Sequence, residues 1–409
     1  MTRSGSDQEV VVTGIGVVSP AGIGVDATWK GVLAGQPTAR TTPDLAGLTV
    51  DFACQVPDFD PVTRLGANLA RRTDRYSQLA FVAGAEALRM AGLEPNEWDG
   101  TRVGVIIGTA FGGITTLENQ VTRLVQGEAV SATTVPMVAP NMLAGQLSLH
   151  WQANGPSFAA CTACASGTTA IGLGTQLLRT GVCDVVLAGG SDAPVNRIIT
   201  ASFARMGALS SRCQTPALAA RPFDAARDGF VLSEGAAVLV LERRAQAAAR
   251  KATALAQVVG YGASADAHHI TAPHPQGSGL EYATRAALAQ ADATAADVDH
   301  VNAHATSTPK GDLVEAGLLA RLFGRRATVT STKGALGHTM GAAGAIEAAL
   351  TVRAINEQTV PPTANLERLD PRIDADVVVG LARPQRIQLA LSNSSGFGGQ
   401  NAVLALAPA

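Results

Sequence analysis

Hydrophobic residues run through this chain in short blocks. VVVTGIGVVS at 10–19, VGVIIGTA at 103–110, DVVLAGGS at 184–191 and GAAVLVLE at 235–242 are such blocks, rich in β-branched residues and separated by Gly- and Ala-rich segments of helical spacing. Blocks of this kind predict buried strands, because a strand covered on both faces needs no polar alternation, so the chain reads as α/β. After about residue 255 the pattern begins again with AQVVGYGAS at 256–264, DHVNAHATS at 299–307, ATVTSTKG at 327–334 and QLALSNSSGFGGQNAVLALA at 388–407. Each half closes on a Gly-rich turn leading into an apolar strand, GFVLSEGAAVLVL in the first and GFGGQNAVLAL in the second. An internal duplication is expected, with halves at 1–254 and 255–409.

The segment SGTTAIGLGTQLLRTG places Ile171 and Leu178 at helical spacing and stops at Gly181, which puts Cys164 at a helix N-terminus. GHTMGAAGAIEAALTVRAI is a comparable helix of small residues, preceded by a loop carrying Lys333 and His338. Two such helices are expected to pack closely at the centre.

Composition narrows the function classes. A chain of 409 residues with 46% hydrophobic composition buries a large core, and a formal charge of -2 argues against a broad nucleic-acid surface. Asp7 and Glu9 interrupt the approach to the first apolar run, which reads as a strand and not a secretory signal. No apolar stretch of membrane-spanning length lacks Gly or charge, so the expected location is cytoplasmic, without a membrane partner. The five cysteines, Cys54, Cys161, Cys164, Cys183 and Cys213, are an odd and sparse set that fits reduced thiols.

A thiol at a helix N-terminus faces unpaired N–H groups and the positive end of the helix dipole, which favours thiolate. Against this stands the plain alternative that Cys164 is a small core residue among Ala and Ser. Cys161 and Cys164 also form a C-x-x-C pair, as in redox centres and half zinc sites, but no second such pair accompanies it. His304 in VNAHATSTPKGD and His338 in STKGALGHTMGAAGA lie in loops rich in small and hydroxyl residues. Lys333, Asp312 and Glu315 are close by in sequence, a density of titratable groups unusual in a chain only 16% charged. GIGVVSPAG at 14–22 superficially resembles a dinucleotide fingerprint but lacks its third glycine and its helix, and no phosphate-binding G-x-x-x-x-G-K occurs. No redox, nucleotide or metal cofactor is expected.

Read together, GPSFAACTACASGTTAI, VNAHATSTPKGDLVE, STKGALGHTMGAAGAIEA, NSSGFGGQNA and RPFDAARDGFVLSEGA resemble the β-ketoacyl-acyl-carrier-protein synthase family, in its elongating Cys-His-His form. The resemblance spans nearly the whole chain. It implies the thiolase fold, a duplicated five-layer α-β-α-β-α architecture, acting as a dimer. It also implies an acyltransferase that condenses an acyl group held on Cys164 with malonyl-acyl carrier protein, releasing carbon dioxide. His304 and His338 match the two family histidines, Lys333 the lysine of the S-T-K segment, and Glu315 the acidic residue that supports that lysine. Phe397 matches the gate beside the thiol. Thr306 and Thr308 are placed to bond the pantetheine arm and Thr271, Phe111 and Phe230 to bind substrate, while Arg71, Arg72 and Arg205 are candidates for docking the acidic carrier.

A degradative thiolase is disfavoured because no cysteine follows Cys213, and the initiating synthase type uses Asn where this chain has His338. A chain-length-factor subunit lacks the nucleophile, so it enters as a heterodimer partner in place of a second copy, with PNMLAG at 140–145 near the interface. Ala305, Ser395 and His268 depart from the fatty-acid pattern and favour the ketosynthase of a type II polyketide system over a fatty-acid elongating enzyme.

Overall fold

The computed structural model describes residues 9–409; the expectation resting on Asp7 lies outside the described residues. Ten strands carry the architecture. In the first half they are β1 (Val10–Ser19), β2 (Val103–Gly108), β3 (Ser157–Ala160), β4 (Val185–Asp192) and β5 (Gly235–Arg243). In the second they are β6 (Ala256–Ala265), β7 (His300–Asn302), β8 (Thr328–Thr330), β9 (Ala390–Gly396) and β10 (Gln400–Ala407).

Hydrogen bonding orders the strands 8-7-9-10-6-1-5-4-2-3, with the two-residue strand Asp376–Val377 beyond β8. This order is a palindrome of the two halves, and the strand directions repeat as well. β2 runs parallel to β3 and β4 while β5 is antiparallel to β4 and β1. Likewise β7 runs parallel to β8 and β9, while β10 is antiparallel to β9 and β6. The halves join where β1 pairs antiparallel with β6 at Val11 and Val12.

Eight helices complete the frame: α1 (Arg75–Ala91), α2 (Ile114–Val125), α3 (Met142–Trp151), α4 (Ser166–Arg179), α5 (Arg197–Arg205), α6 (Ser278–Gln290), α7 (Pro309–Phe323) and α8 (Ala343–Glu357). α4 follows β3 and α8 follows β8; both pack on strands of each half and on one another, forming the middle layer. Small residues permit this contact: a Cβ on Gly167 would lie 2.7 Å from Ala345 N. α1 covers β1 and β5 on one outer face, and α6 covers β6 and β10 on the other.

The glycines of the 14–16 G-x-G also have a packing role. A Cβ on Gly14 or Gly16 would lie 2.1 or 1.8 Å from the carbonyl oxygen of Ala87 or Ala83 on α1. Gly260 and Gly262 stand in the same relation to Ala287 and Ala283 on α6, at 2.0 and 1.9 Å. Each half therefore seats a helix directly on a glycine pair of its first strand. The core strands are buried along their length, as β1 and β5 show, and each buried Val or Leu contributes about 1.5–3 kcal/mol. Two expected strands are shorter than their apolar runs: β7 ends at Asn302 and β8 at Thr330, where backbone pairing gives way to loops that bear side chains of the site.

Candidate active site

The ends of the two halves converge on one cavity of about 460 Å³ whose lining includes Cys164, His304, His338 and Phe397. Cys164 lies in a 3₁₀ turn, Ala163–Ala165, that leads directly into α4, close to the expected helix N-terminus. Ala163 has φ +49°, a left-handed conformation costly for a residue with a side chain. Ser307 at +72° and Met340 at +51° repeat this in the loops of His304 and His338. Three non-glycine residues in that region, one in each loop, are the kind of local strain that clusters at functional sites.

His338 Nε2 lies 3.1 Å from Cys164 Sγ, and the rings of His304 and His338 meet edge to face with centroids 5.4 Å apart. Burial, then the nearby Lys333 ammonium, holds His338 well below the ordinary histidine range; the same causes, with His338 itself, lower His304. Both imidazoles are therefore neutral near pH 7, with one N–H each to donate. Burial pushes the Cys164 thiol up to about 12, whereas Lys333 and the Phe397 backbone N–H pull it down. Burial is the largest of these effects and favours the neutral thiol at rest, against the thiolate expected from the helix position. Ionisation needs the neighbouring imidazole to take the proton.

Lys333 corrects a second expectation. Its ammonium pairs with Glu347 on α8, both side chains buried, and not with Glu315. Glu315, from α7, instead accepts from the backbone N–H groups of His304 and Ala305 at 2.9 and 2.7 Å and from Asn393 Nδ2 at 3.1 Å. It therefore shapes the His304 loop, and it feels Lys333 only at longer range. Asp312 works similarly one turn earlier, accepting from Ser307 N and Phe223 N. Glu347 was missed in the sequence; the available signal was a single acidic residue inside the apolar run AAGAIEAAL.

Phe397 begins the turn between β9 and β10, and the chain before it passes so near the nucleophile that a Cβ on Gly396 would lie 3.1 Å from Cys164 N. Phe111, Phe230, Thr271, Thr306 and Thr308 all line the cavity, with the hydroxyls of Thr306 and Thr308 3.1 Å apart. Phe203 on α5, absent from the sequence reading, is the hub of the aromatic wall: its ring contacts those of Phe111, Phe230 and Phe397. Arg205 is exposed next to Met206 on the cavity rim, whereas Arg71 and Arg72, exposed at the end of the short helix Ala67–Arg72, are not part of the lining.

Donor atoms of Cys164, His304 and His338 lie within 4.8 Å of one another, a set that would suit a soft divalent cation. The adjacent Lys333 charge opposes a second cation there. Cys161, the other half of the C-x-x-C pair, is exposed, and both cysteines are free thiols. None of the helices among the described residues is long and apolar enough to cross a membrane.

Comparison with known proteins agrees on one family. Residues 7–247 match the family described as Beta-ketoacyl synthase, N-terminal domain, and residues 255–367 match Beta-ketoacyl synthase, C-terminal domain. The 3-oxoacyl-[acyl-carrier-protein] synthase 2 of Staphylococcus aureus (strain COL) is 41% identical over 405 residues, covering 97% of this chain and 98% of the relative. A solved β-ketoacyl synthase from Burkholderia phymatum superposes with a TM-score of 0.92 at 35% identity, covering 98% of this chain and 99% of that one. The ishigamide ketosynthase/chain length factor gives a TM-score of 0.91 at 33% identity, with the same coverage.

Proposed function

This chain belongs to the β-ketoacyl synthase family, and from that membership we propose that it condenses a Cys164-bound acyl group with malonyl-acyl carrier protein. The observation that carries the reading is the thiol 3.1 Å from a neutral imidazole, with a second neutral imidazole edge-on to the first at the floor of an apolar cavity. In the first step His338 Nε2 takes the Cys164 proton as sulfur attacks the carrier-bound acyl thioester. A thioester forms on Cys164 and the carrier thiol leaves with the proton. The N–H groups of Cys164 and Phe397 face the oxyanion of that step, the latter already directed at the sulfur.

In the second step malonyl thioester loses carbon dioxide. The electron pair of the broken bond becomes an enolate whose oxygen accepts from the ring N–H groups of His304 and His338, which is why two neutral imidazoles are needed. The enolate carbon attacks the acyl-Cys164 carbonyl, a carbon–carbon bond forms as the carbon–sulfur bond breaks, and the expelled thiolate takes a proton from solvent, replacing the one that left with the carrier thiol. The product is β-ketoacyl carrier protein. Burial and the Lys333 charge, itself paired with Glu347, hold both rings neutral at rest, so that the proton His338 takes from Cys164 passes straight on to the leaving carrier thiol, while Glu315 holds the His304 loop.

The substrate travels on the phosphopantetheine arm of the carrier, with Thr306, Thr308 and Thr271 along its path; the chemistry draws on no further cofactor. Arg71, Arg72 and Arg205 are the proposed docking cations, and cytoplasm is the proposed location. Functional division follows the halves 1–254, which bear the nucleophile, and 255–409, which bear both histidines. A type II polyketide ketosynthase is the favoured pathway reading, supported by Ala305, Ser395 and His268 and by the likeness to a ketosynthase that assembles with a chain length factor. Fatty-acid elongation is the second reading, supported by the 41% identity to a 3-oxoacyl synthase.

The test is incubation with acyl- and malonyl-carrier thioesters, saturated and poly-β-keto, alone and with a chain-length-factor subunit. Ketoacyl product and carbon dioxide are expected from the wild type and no product from Cys164→Ala. Turnover of saturated chains alone would assign the fatty-acid pathway. Inactivity with every acyl group, with and without the second subunit, would refute the condensing role.

A further inference from the structure

A buried carboxylate outside the Cys-His-His set joins two parts of the cavity that the sequence keeps far apart. Asp192, the last residue of β4, is fully buried. Its Oδ1 accepts from Thr109 Oγ1 at 2.7 Å and from Phe111 N at 3.2 Å. Its Oδ2 accepts from Ala110 N at 2.8 Å and from Gly341 N at 2.7 Å. All four partners are neutral donors, none of them a cation. Three belong to the loop after β2 that carries Phe111 into the acyl pocket. The fourth lies three residues beyond His338, in the turn where Met340 is left-handed.

The two loops meet almost backbone to backbone. A Cβ on Gly341 would lie 2.5 Å from Asp192 Oδ2 and 2.6 Å from Ala110 N, so only glycine lets the turn reach the carboxylate. Thr109 Oγ1 passes the tie onward by accepting from Gly112 N at 3.0 Å. A carboxylate is the one side chain of this size that offers acceptors on both branches; an amide would turn a donor toward two of the four donors.

We propose that Asp192 is a positioning residue that locks the Phe111 wall of the acyl pocket to the His338 loop, so that acyl-chain selectivity and malonyl decarboxylation depend on one carboxylate. The proposal rests on the condensing function above. Burial raises Asp192 to about 6, partly offset by its four hydrogen bonds. The titratable groups that feel its charge are Cys164 and Tyr76; burial pushes both far above that range, Cys164 to about 12. His338, three residues before Gly341, titrates well below its ordinary range. As pH falls through about 6, protonation of Asp192 turns one acceptor branch into a donor and releases the tie.

The experiment compares wild type, Asp192→Asn and Thr109→Val in two assays across pH 5 to 8. One is Cys164 acylation by a short and a long acyl thioester, read by mass; the other is carbon dioxide release from malonyl carrier protein. Asp192→Asn is expected to shift the short-to-long acylation ratio and to lower the decarboxylation rate, each by about tenfold, since small misplacements of reacting groups have effects of this order or larger. KM for malonyl carrier protein should stay near wild type. The wild-type acid limb near pH 6 should vanish in Asp192→Asn, and Thr109→Val should show a smaller change in both assays.

A folded Asp192→Asn with either assay at the wild-type value would overturn the coupling, as would an unchanged acid limb. If Asp192→Asn does not fold, Thr109→Val and the wild-type pH profile decide in the same way. Inactive wild type would count against the condensing function; active wild type with indifferent variants would count against this proposal alone.

Discussion

Cys164 is held among groups that pull its proton in opposite directions: burial and the Asp192 and Glu347 charges retain it, while Lys333 and the Phe397 N–H favour its release. The ion pair of Lys333 with Glu347 is buried on both sides, so removing one partner leaves an uncompensated charge. Lys333→Met is expected to cost about 3–5 kcal/mol of stability, and adding Glu347→Gln should restore part of it, measured by denaturant melts of the three variants. An additive loss would contradict the pairing. His300 gives a separate pH signature. Burial lowers it to about 4, so below pH 6.5 the unfolded chain takes up a proton that the folded chain refuses, and stability falls with pH. Between pH 7 and pH 5 this one group accounts for about 2 kcal/mol of loss, which His300→Asn should abolish when melts at the two pH values are compared. At this scale the two histidines and the thiol were legible because their loops are distinctive. Glu347 and Asp192 were not, because a lone acid in an apolar run shows its partner only when the run is packed.

Among the elements, the pairing of a G-x-G strand with an A-x-x-x-A helix occurs once in each half, and it explains glycines that the sequence alone could take for a nucleotide motif. Because a Cβ on Gly16 or Gly262 would collide with a helix carbonyl, Gly16→Ala and Gly262→Ala should each destabilise by roughly 3 kcal/mol or more, or fail to fold. Gly317 on α7 is the control: it is exposed, with nothing within 4 Å of its Cβ position, so Gly317→Ala should stabilise by about 1 kcal/mol. Thermal melts of the three variants test both statements. Strand positions were readable from apolar runs to within a residue or two in the central strands. They were misjudged at β7 and β8, where small polar residues continue the apolar run after the ladder has ended.

For the whole molecule, the palindromic strand order brings the loop ends of both halves to one cavity, so neither half contains the site by itself. α2 buries none of its side chains in the single chain and exposes Val121 and Leu124, and Phe158 on the edge strand β3 is also exposed. An apolar helix face and an open sheet edge are the surfaces expected to meet the second subunit, a copy of this chain or a chain-length factor. Val121→Asp with Leu124→Asp should lower the mass in sedimentation equilibrium to that of one chain, as expected when an interface core loses a few kcal/mol, a factor of about 100 or more in the association constant. A dimer unchanged by both substitutions would place the interface elsewhere.

What the sequence determined by itself was the α/β class, the duplication, the identity of the Cys-His-His group that meets in the cavity, and the family, since these depend on local periodicity and on side chains grouped in short, distinctive motifs. Tertiary structure alone decided that Lys333 answers to Glu347, that Glu315 holds a backbone loop, that Phe203 joins the aromatic wall, and that Asp192 links residues 109–111 to residue 341. The physical reason is common to all four. The energy of a buried polar or aromatic group is set by the partner it meets after its water is removed, and in this fold that partner comes from a different strand, helix or half.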